Sequence, residues 1–179
     1  MKIKGKKVIL RTLSVNDAKA FCVWLGDPEL VSLLSPNNMP QPSLKEEKDW
    51  IQKAIKNKDE FHLAIDTIDG EHIGSIGLNK IDKINQKAEF GIMIGNKKYW
   101  GQGIGTEACY LICQYGFTKL KLHRIYLKVF AFNVRGIKSY QKVGFKKEGI
   151  LRQDIKRGKF RHDTIIMGLL KNELTKSKI

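Results

Sequence analysis

Tyr99-Trp100-Gly101-Gln102-Gly103-Ile104-Gly105-Thr106 stands between a stretch that alternates like a strand, Ala88–Gly95, and one that reads as a helix, Thr106 to about Leu120. At such a junction the first backbone N–H groups of the helix have no internal partner and carry the positive end of its dipole. Glycines let the backbone wrap closely around an anion, so phosphate is the natural ligand, and Lys97 and Lys98 just upstream add to the field. A dinucleotide fingerprint would need glycine at 106 or 108, where Thr106 and Ala108 stand. A P-loop would need Gly-Lys-Ser/Thr entering the helix, and no lysine is there. The bland alternative is a set of glycines that only make a tight turn.

Working outward, Phe90, Ile92 and Ile94 share one face of the upstream strand and suit a core. Glu89, Gly91 and Met93 share the other, a mixture that suits a ligand. Before it, Phe61–Ile65 and Ile73–Leu78 alternate around the turn Ile68-Asp69-Gly70-Glu71, and Asn85 begins the third strand of this meander. Val8–Leu13 reads as a first strand, and Ser14-x-x-Asp17 starts a helix that runs to about Leu25 and stops at Asp27-Pro28. Leu33–Pro42 is predicted as a loop, and Ser43-x-x-Glu46 caps a helix to about Asn57. Downstream, Ala108, Leu111, Ile112 and Tyr115 give the helix after the glycines one apolar face. Ile125–Phe130 is a strand and Asn133–Val143 a short helix. A hairpin then pairs Lys146–Ile155 with Phe160–Leu170 around Lys156-Arg157-Gly158-Lys159. This order predicts an α+β fold, a mixed sheet with helices on both faces. The chain is read as one domain over 1–179, with 1–7 and 172–179 as terminal extensions.

With 42% apolar and 28% charged residues among 179, the composition is that of an ordinary globular domain. A net charge of +15 draws polyanions, or simply solvates the surface, and does not choose between them. The basic clusters are not interleaved with aromatics as a base-stacking platform would be, so nucleic acid is not favoured as a partner. Cys22, Cys109 and Cys113 are too few for a disulfide framework. Two cysteines four apart make a poor zinc site, so no metal is expected and buried small side chains are their natural role. Reduced thiols suit a cytoplasmic protein. The first apolar run, Val8-Ile9-Leu10, is too short for a signal peptide or a membrane span, so a soluble chain without a membrane partner is expected.

The glycine loop, followed by Asn133-x-x-x-x-x-Ser139-Tyr140-x-x-x-Gly144-Phe145, resembles the GCN5-related N-acetyltransferases (GNAT). With Asp27-Pro28-Glu29 and Tyr-Trp-Gly-Gln-Gly, it is similar to the branch of ribosomal-protein N-terminal acetyltransferases and bacterial spermidine acetyltransferases. Trp100 stands where the wider family carries Gln or Arg, which leaves phosphate contacts to the backbone amides of Gln102, Gly103, Ile104, Gly105 and Thr106. The resemblance implies a mostly antiparallel central sheet and acetyl-CoA as acetyl donor. Direct attack by a primary amine then occurs in a ternary complex. It also implies pantetheine contacts from Ile92, Met93 and Ile94, with a main-chain N–H near Met93 facing the thioester oxygen, and a cofactor contact from Asn133, which also suits an N-cap.

Such a transfer needs a deprotonated amine, a grip on the developing oxyanion and a proton for the leaving thiolate. Tyr140 occupies the family's tyrosine position and is the candidate acid; otherwise it is an aromatic packing residue. Glu89 is the candidate base, through water, or else a structural carboxylate paired with a lysine; His62 and His72 are reserves. The acceptor is either a small amine or polyamine, or a protein N-terminus. Asp27, Glu29, Glu46, Glu47 and Asp49 would serve a polyamine, or merely solvate helix starts. A homodimer is a further expectation. The alternative from another class is a non-catalytic acetyl-CoA sensor or RNA-associated module with the same fold.

Overall fold

The computed structural model describes residues 1–35 and 40–175. In chain order the elements are β1 (Lys2–Lys4), β2 (Val8–Thr12), α1 (Ala18–Leu25), α2 (Pro28–Leu34), α3 (Leu44–Lys56), β3 (Phe61–Thr67), β4 (His72–Asp82) and β5 (Lys87–Ile94). Then follow α4 (Ile104–Thr118), β6 (Arg124–Phe130), α5 (Val134–Val143), β7 (Lys146–Arg157) and β8 (Phe160–Leu170). The strands form one sheet in the order β1-β2-β3-β4-β5-β6-β8-β7, antiparallel throughout except for β5 and β6. Helices lie on both faces, as the α+β reading predicts. The period-2 geometry of a strand sends Leu63 and Ile65 of β3 into the larger core with α4, and Ala64 into the smaller one with Phe21 of α1 and Ile51 of α3.

Several elements differ from the sequence reading, each for a local reason. Residues 2–4 are an edge strand on β2 and not an extension. Glu107, buried in the first turn of α4, accepts the backbone N–H groups of Lys6 and Lys7 at 2.7 Å each and so anchors the turn after β1. At the other end, Thr175 N–H bonds the carbonyl of Val143 at 3.0 Å, while residues 176–179 lie outside the described set. Asp27-Pro28 ends α1 and also starts a helix. Asp27 accepts from the amides of Glu29 and Leu30, and proline sits at the N-terminal position where its missing N–H costs nothing. Leu33 and Leu34 therefore belong to α2; Ser35 and residues 40–42 are outside any helix or strand, and the rest of the predicted loop, 36–39, lies outside the described residues. The helix after the glycines starts at Ile104, two residues early, and is buried nearly all round, because α5 covers the side the apolar pattern leaves out.

Candidate active site

The parallel pair β5–β6 is a fork. Lys87, Ala88 and Glu89 pair with Arg124, Ile125 and Tyr126, and beyond Glu89 the two strands part. A cavity of about 620 Å³ occupies the opening, lined from β5 by Phe90 to Ile94 and from β6 by Leu127 to Phe130. Both faces of β5 contribute, which the alternation in the sequence does not predict. What the cavity meets is the strand's open edge, and an edge belongs to neither face. The backbone groups on that edge can be assigned. A Cβ on Gly74 would lie 2.2 Å from the carbonyl oxygen of Met93, so the Met93 main chain faces β4. In a ladder the N–H of that residue points the same way, which leaves Ile92 and Ile94 to face the opening. The Ile94 carbonyl indeed accepts Trp100 Nε1–H at 2.7 Å. Near Met93 it is thus the main chain of Ile92 and Ile94 that faces the opening, while the Met93 side chain lines the cavity and packs on the smaller core.

The glycine loop closes one end of the opening. Gly101 (φ 77°) and Gly103 (φ 78°) adopt the left-handed conformation that admits glycine most easily. Gly103 is the N-cap of α4 and its carbonyl accepts the N–H of Glu107, so the amides of Ile104, Gly105 and Thr106 have no partner within the helix. Gly103, Ile104, Gly105 and Thr106 line the cavity; Gln102 does not, since its side chain bonds the Lys98 carbonyl and its own carbonyl accepts Lys7 Nζ. Lys97 is engaged by acids, with its ammonium 6.0 Å from the Trp100 ring centroid. Its ammonium binds Asp27 at 2.6 Å and Glu29 at 2.8 Å, which ties α2 to the loop and neutralises the field expected from it.

The third side is α5. Asn133 caps it by accepting the Gly136 N–H at 3.0 Å and lines the cavity. Ser139 shares a 2.8 Å hydrogen bond with Thr106, locking the start of α4 to α5. Tyr140 packs edge-on against Phe90, ring centroids 5.7 Å apart, and its hydroxyl has no hydrogen-bond partner among the described residues. Burial pushes the Tyr140 phenol well above its ordinary range, so it keeps its proton. The sequence reading missed Arg135, Lys138 and Lys142, which line the cavity from α5. Their i, i+3, i+7 spacing was the available signal. The Arg135 guanidinium lies 3.7 Å from the Trp100 ring centroid, giving that tryptophan a role of its own.

A model of the acetyltransferase (GNAT) domain matches residues 7–146. The chain belongs to the GNAT acetyltransferase family. It is an acetyl-CoA-dependent N-acetyltransferase. It is 34% identical over 174 residues to an uncharacterized N-acetyltransferase, p20, of Bacillus licheniformis, covering 94% of this chain and 95% of the relative. It is 36% identical over 115 residues to spermidine N(1)-acetyltransferase of Escherichia coli K12, covering 64% and 61%. Among solved structures, spermidine N-acetyltransferase from Vibrio cholerae, in complex with CoA and spermine, superposes with a TM-score of 0.85 at 25% identity. That match covers 94% of this chain and 98% of the other. The open strand edge, unpartnered helix amides and α5 cations of this GNAT chain fit an elongated phosphorylated thioester such as acetyl-CoA.

Glu89 is not brought into this site. It is the last residue on the closed side of the fork, is absent from the cavity lining, and binds Lys80 at 2.7 Å. Lys80 adopts φ 50° at an irregularity in the β4–β5 pairing. The reserve histidines are also elsewhere: His62 contacts Glu60 at 3.0 Å, and His72 contacts Asp66 at 3.1 Å in a network with Arg11 and Asp17. Of the acids offered for a polyamine, Asp27 and Glu29 hold Lys97 and Glu46 accepts the Ser43 N–H at the start of α3, while Glu47 is buried on α3 and neither it nor Asp49 lines the cavity. Cys109 and Cys113 are buried, and Cys22 is half-buried. No described helix is long and apolar enough to cross a membrane.

Proposed function

We propose that residues 1–179 act as one N-acetyltransferase domain that transfers acetyl directly to a primary amine, with Tyr140 as proton donor. Acetyl-CoA supplies the acyl group as an activated thioester. The amides of Gly103 to Thr106 hold its phosphates, with Asn133 and the α5 cations beside them, and the open edge at Ile92 and Ile94 aligns the pantetheine arm as an added strand would. An N–H on that edge faces the carbonyl oxygen on which charge develops. Tyr140 Oη gives its proton to the departing sulfur and is reprotonated from the attacking amine nitrogen, so one N–H proton is exchanged for one S–H proton. No carboxylate or imidazole lines the cavity among the described residues, which supports an amine that sheds its ammonium proton to solvent. Glu89 is left as a structural partner of Lys80.

The observation that carries this reading is Tyr140: a protonated hydroxyl without a partner among the described residues, in the lining of the cavity that the open edge of β5 faces. The acceptor is a small amine or a protein N-terminus. Names of relatives support each, a spermidine N(1)-acetyltransferase on one side and a putative ribosomal N-acetyltransferase of Bacillus subtilis on the other. Free thiols support a cytoplasmic location. The test is thiol release from acetyl-CoA across a panel of amines. Turnover with at least one amine, strongly reduced in Tyr140→Phe at unchanged acetyl-CoA affinity, is the expected result; full activity of Tyr140→Phe removes the tyrosine from its role.

A further inference from the structure

We infer that the acceptor of this enzyme carries an apolar body and a single positive charge, and that polyamines are poor substrates. The inference rests on the acetyl-transfer reading and adds the substrate class.

The cavity has two unlike sides. On α5 it carries Arg135, Lys138 and Lys142, close to the loop amides, which is the side suited to a phosphorylated donor. Across from them, α2 supplies Leu30, Leu33 and Leu34, and β6 supplies Val129 and Phe130. With the donor on the cationic side, the acceptor is left the apolar one. Not one Asp or Glu lines the cavity among the described residues.

The α2 wall is also held in place by a cation. Arg157, at the end of β7, donates to the carbonyls of Ser32 and Ser35 at the C-terminal end of α2, the latter at 3.0 Å. Its guanidinium lies over the rings of Phe132, at 4.4 Å, and Phe130, at 5.3 Å. At the other end of α2, Lys97 occupies Asp27 and Glu29. A second or third ammonium group entering here would lose its hydration and meet Lys128, with no carboxylate among the described lining residues to pair with. An aliphatic or aromatic body would instead replace water against leucine and phenylalanine side chains.

The experiment compares kcat/KM for 2-phenylethylamine and for spermidine by thiol release, at one ionic strength. A value at least about tenfold higher for 2-phenylethylamine is expected, a difference of about 1.4 kcal/mol. Equal or better use of spermidine overturns the inference and leaves acetyl transfer standing. No thiol release with these or any other amine overturns both. A second arm uses Leu34→Glu. Leu34 is 39% exposed, so the chain tolerates a polar side chain there. The variant is expected to shift the preference toward spermidine about fivefold or more while acetyl-CoA affinity stays unchanged. An unchanged preference places the acceptor away from α2 and overturns the inference.

Discussion

Strand β5 has two halves that behave differently although the sequence writes them in one pattern. In the first, Lys87 to Glu89, both edges are paired, and the only carboxylate is consumed by Lys80. In the second, Phe90 to Ile94, one edge is paired with β4 and the other has no strand beside it and faces a cavity. The same alternation of side chains thus produces structure in one half and a site in the other. What separates them is the loss of a neighbouring strand, not any residue type.

The largest effect should come where the open half runs into the glycine loop. Gly103→Glu places a side chain at φ 78°, with its Cβ 3.3 Å from Lys7 Nζ, and puts a carboxylate beside the amides assigned to phosphate. Acetyl-CoA binding, read by calorimetry, should fall below detection; wild-type affinity would mean the open half does not lead to the donor's phosphates. Next, Tyr140→Phe should lower kcat by about a hundredfold with acetyl-CoA affinity retained, the scale of a lost general acid. Because burial raises the tyrosine's pKa, its proton is retained as pH rises. The wild-type kcat should therefore show no descending limb from this group up to about pH 10, the ordinary value for tyrosine. A downturn near neutrality would assign the proton to another group.

The two edges of the open half can be separated by proline. Met93→Pro removes an N–H directed at β4 and should cost about 2 kcal/mol, near 6 °C in Tm for a chain of this size. Ile92→Pro removes one directed at the cavity and should shift Tm by less than half as much while impairing turnover. Equal thermal shifts would refute the assignment of the two edges. The smallest effect belongs to the closed half. Glu89→Gln should change kcat by less than about twofold, because an exposed Lys80 partner contributes little. A hundredfold loss would return Glu89 to the chemistry and erase the contrast between the halves.

Local rules were enough for much of this molecule. Ser43 and Glu46 form the predicted capping box, Gly70 makes the predicted turn at φ 90°, and Asn133 caps α5. The glycine loop and the helix start it makes were legible because both are made of backbone within a few residues. Asp27-Pro28 was read only as a stop because the same residues that end one helix begin the next. Residues 2–4 escaped notice because a three-residue edge strand has no period to detect; its anchor, Glu107, lies about a hundred residues away.

The sequence by itself determined most of the elements, the mixed sheet with helices on both faces and the family, since each rests on spacings of a few residues in hydrogen-bond rings, caps and side-chain periods; β1 and α2 escaped it. Tertiary structure alone decided where β5 and β6 part, that Glu89 stays on the closed side, and that α2, held at its C-terminal end by Arg157, walls the cavity without a carboxylate among the described residues. Those facts depend on which strands come to lie side by side and which charges meet across the fold, and no local spacing encodes either.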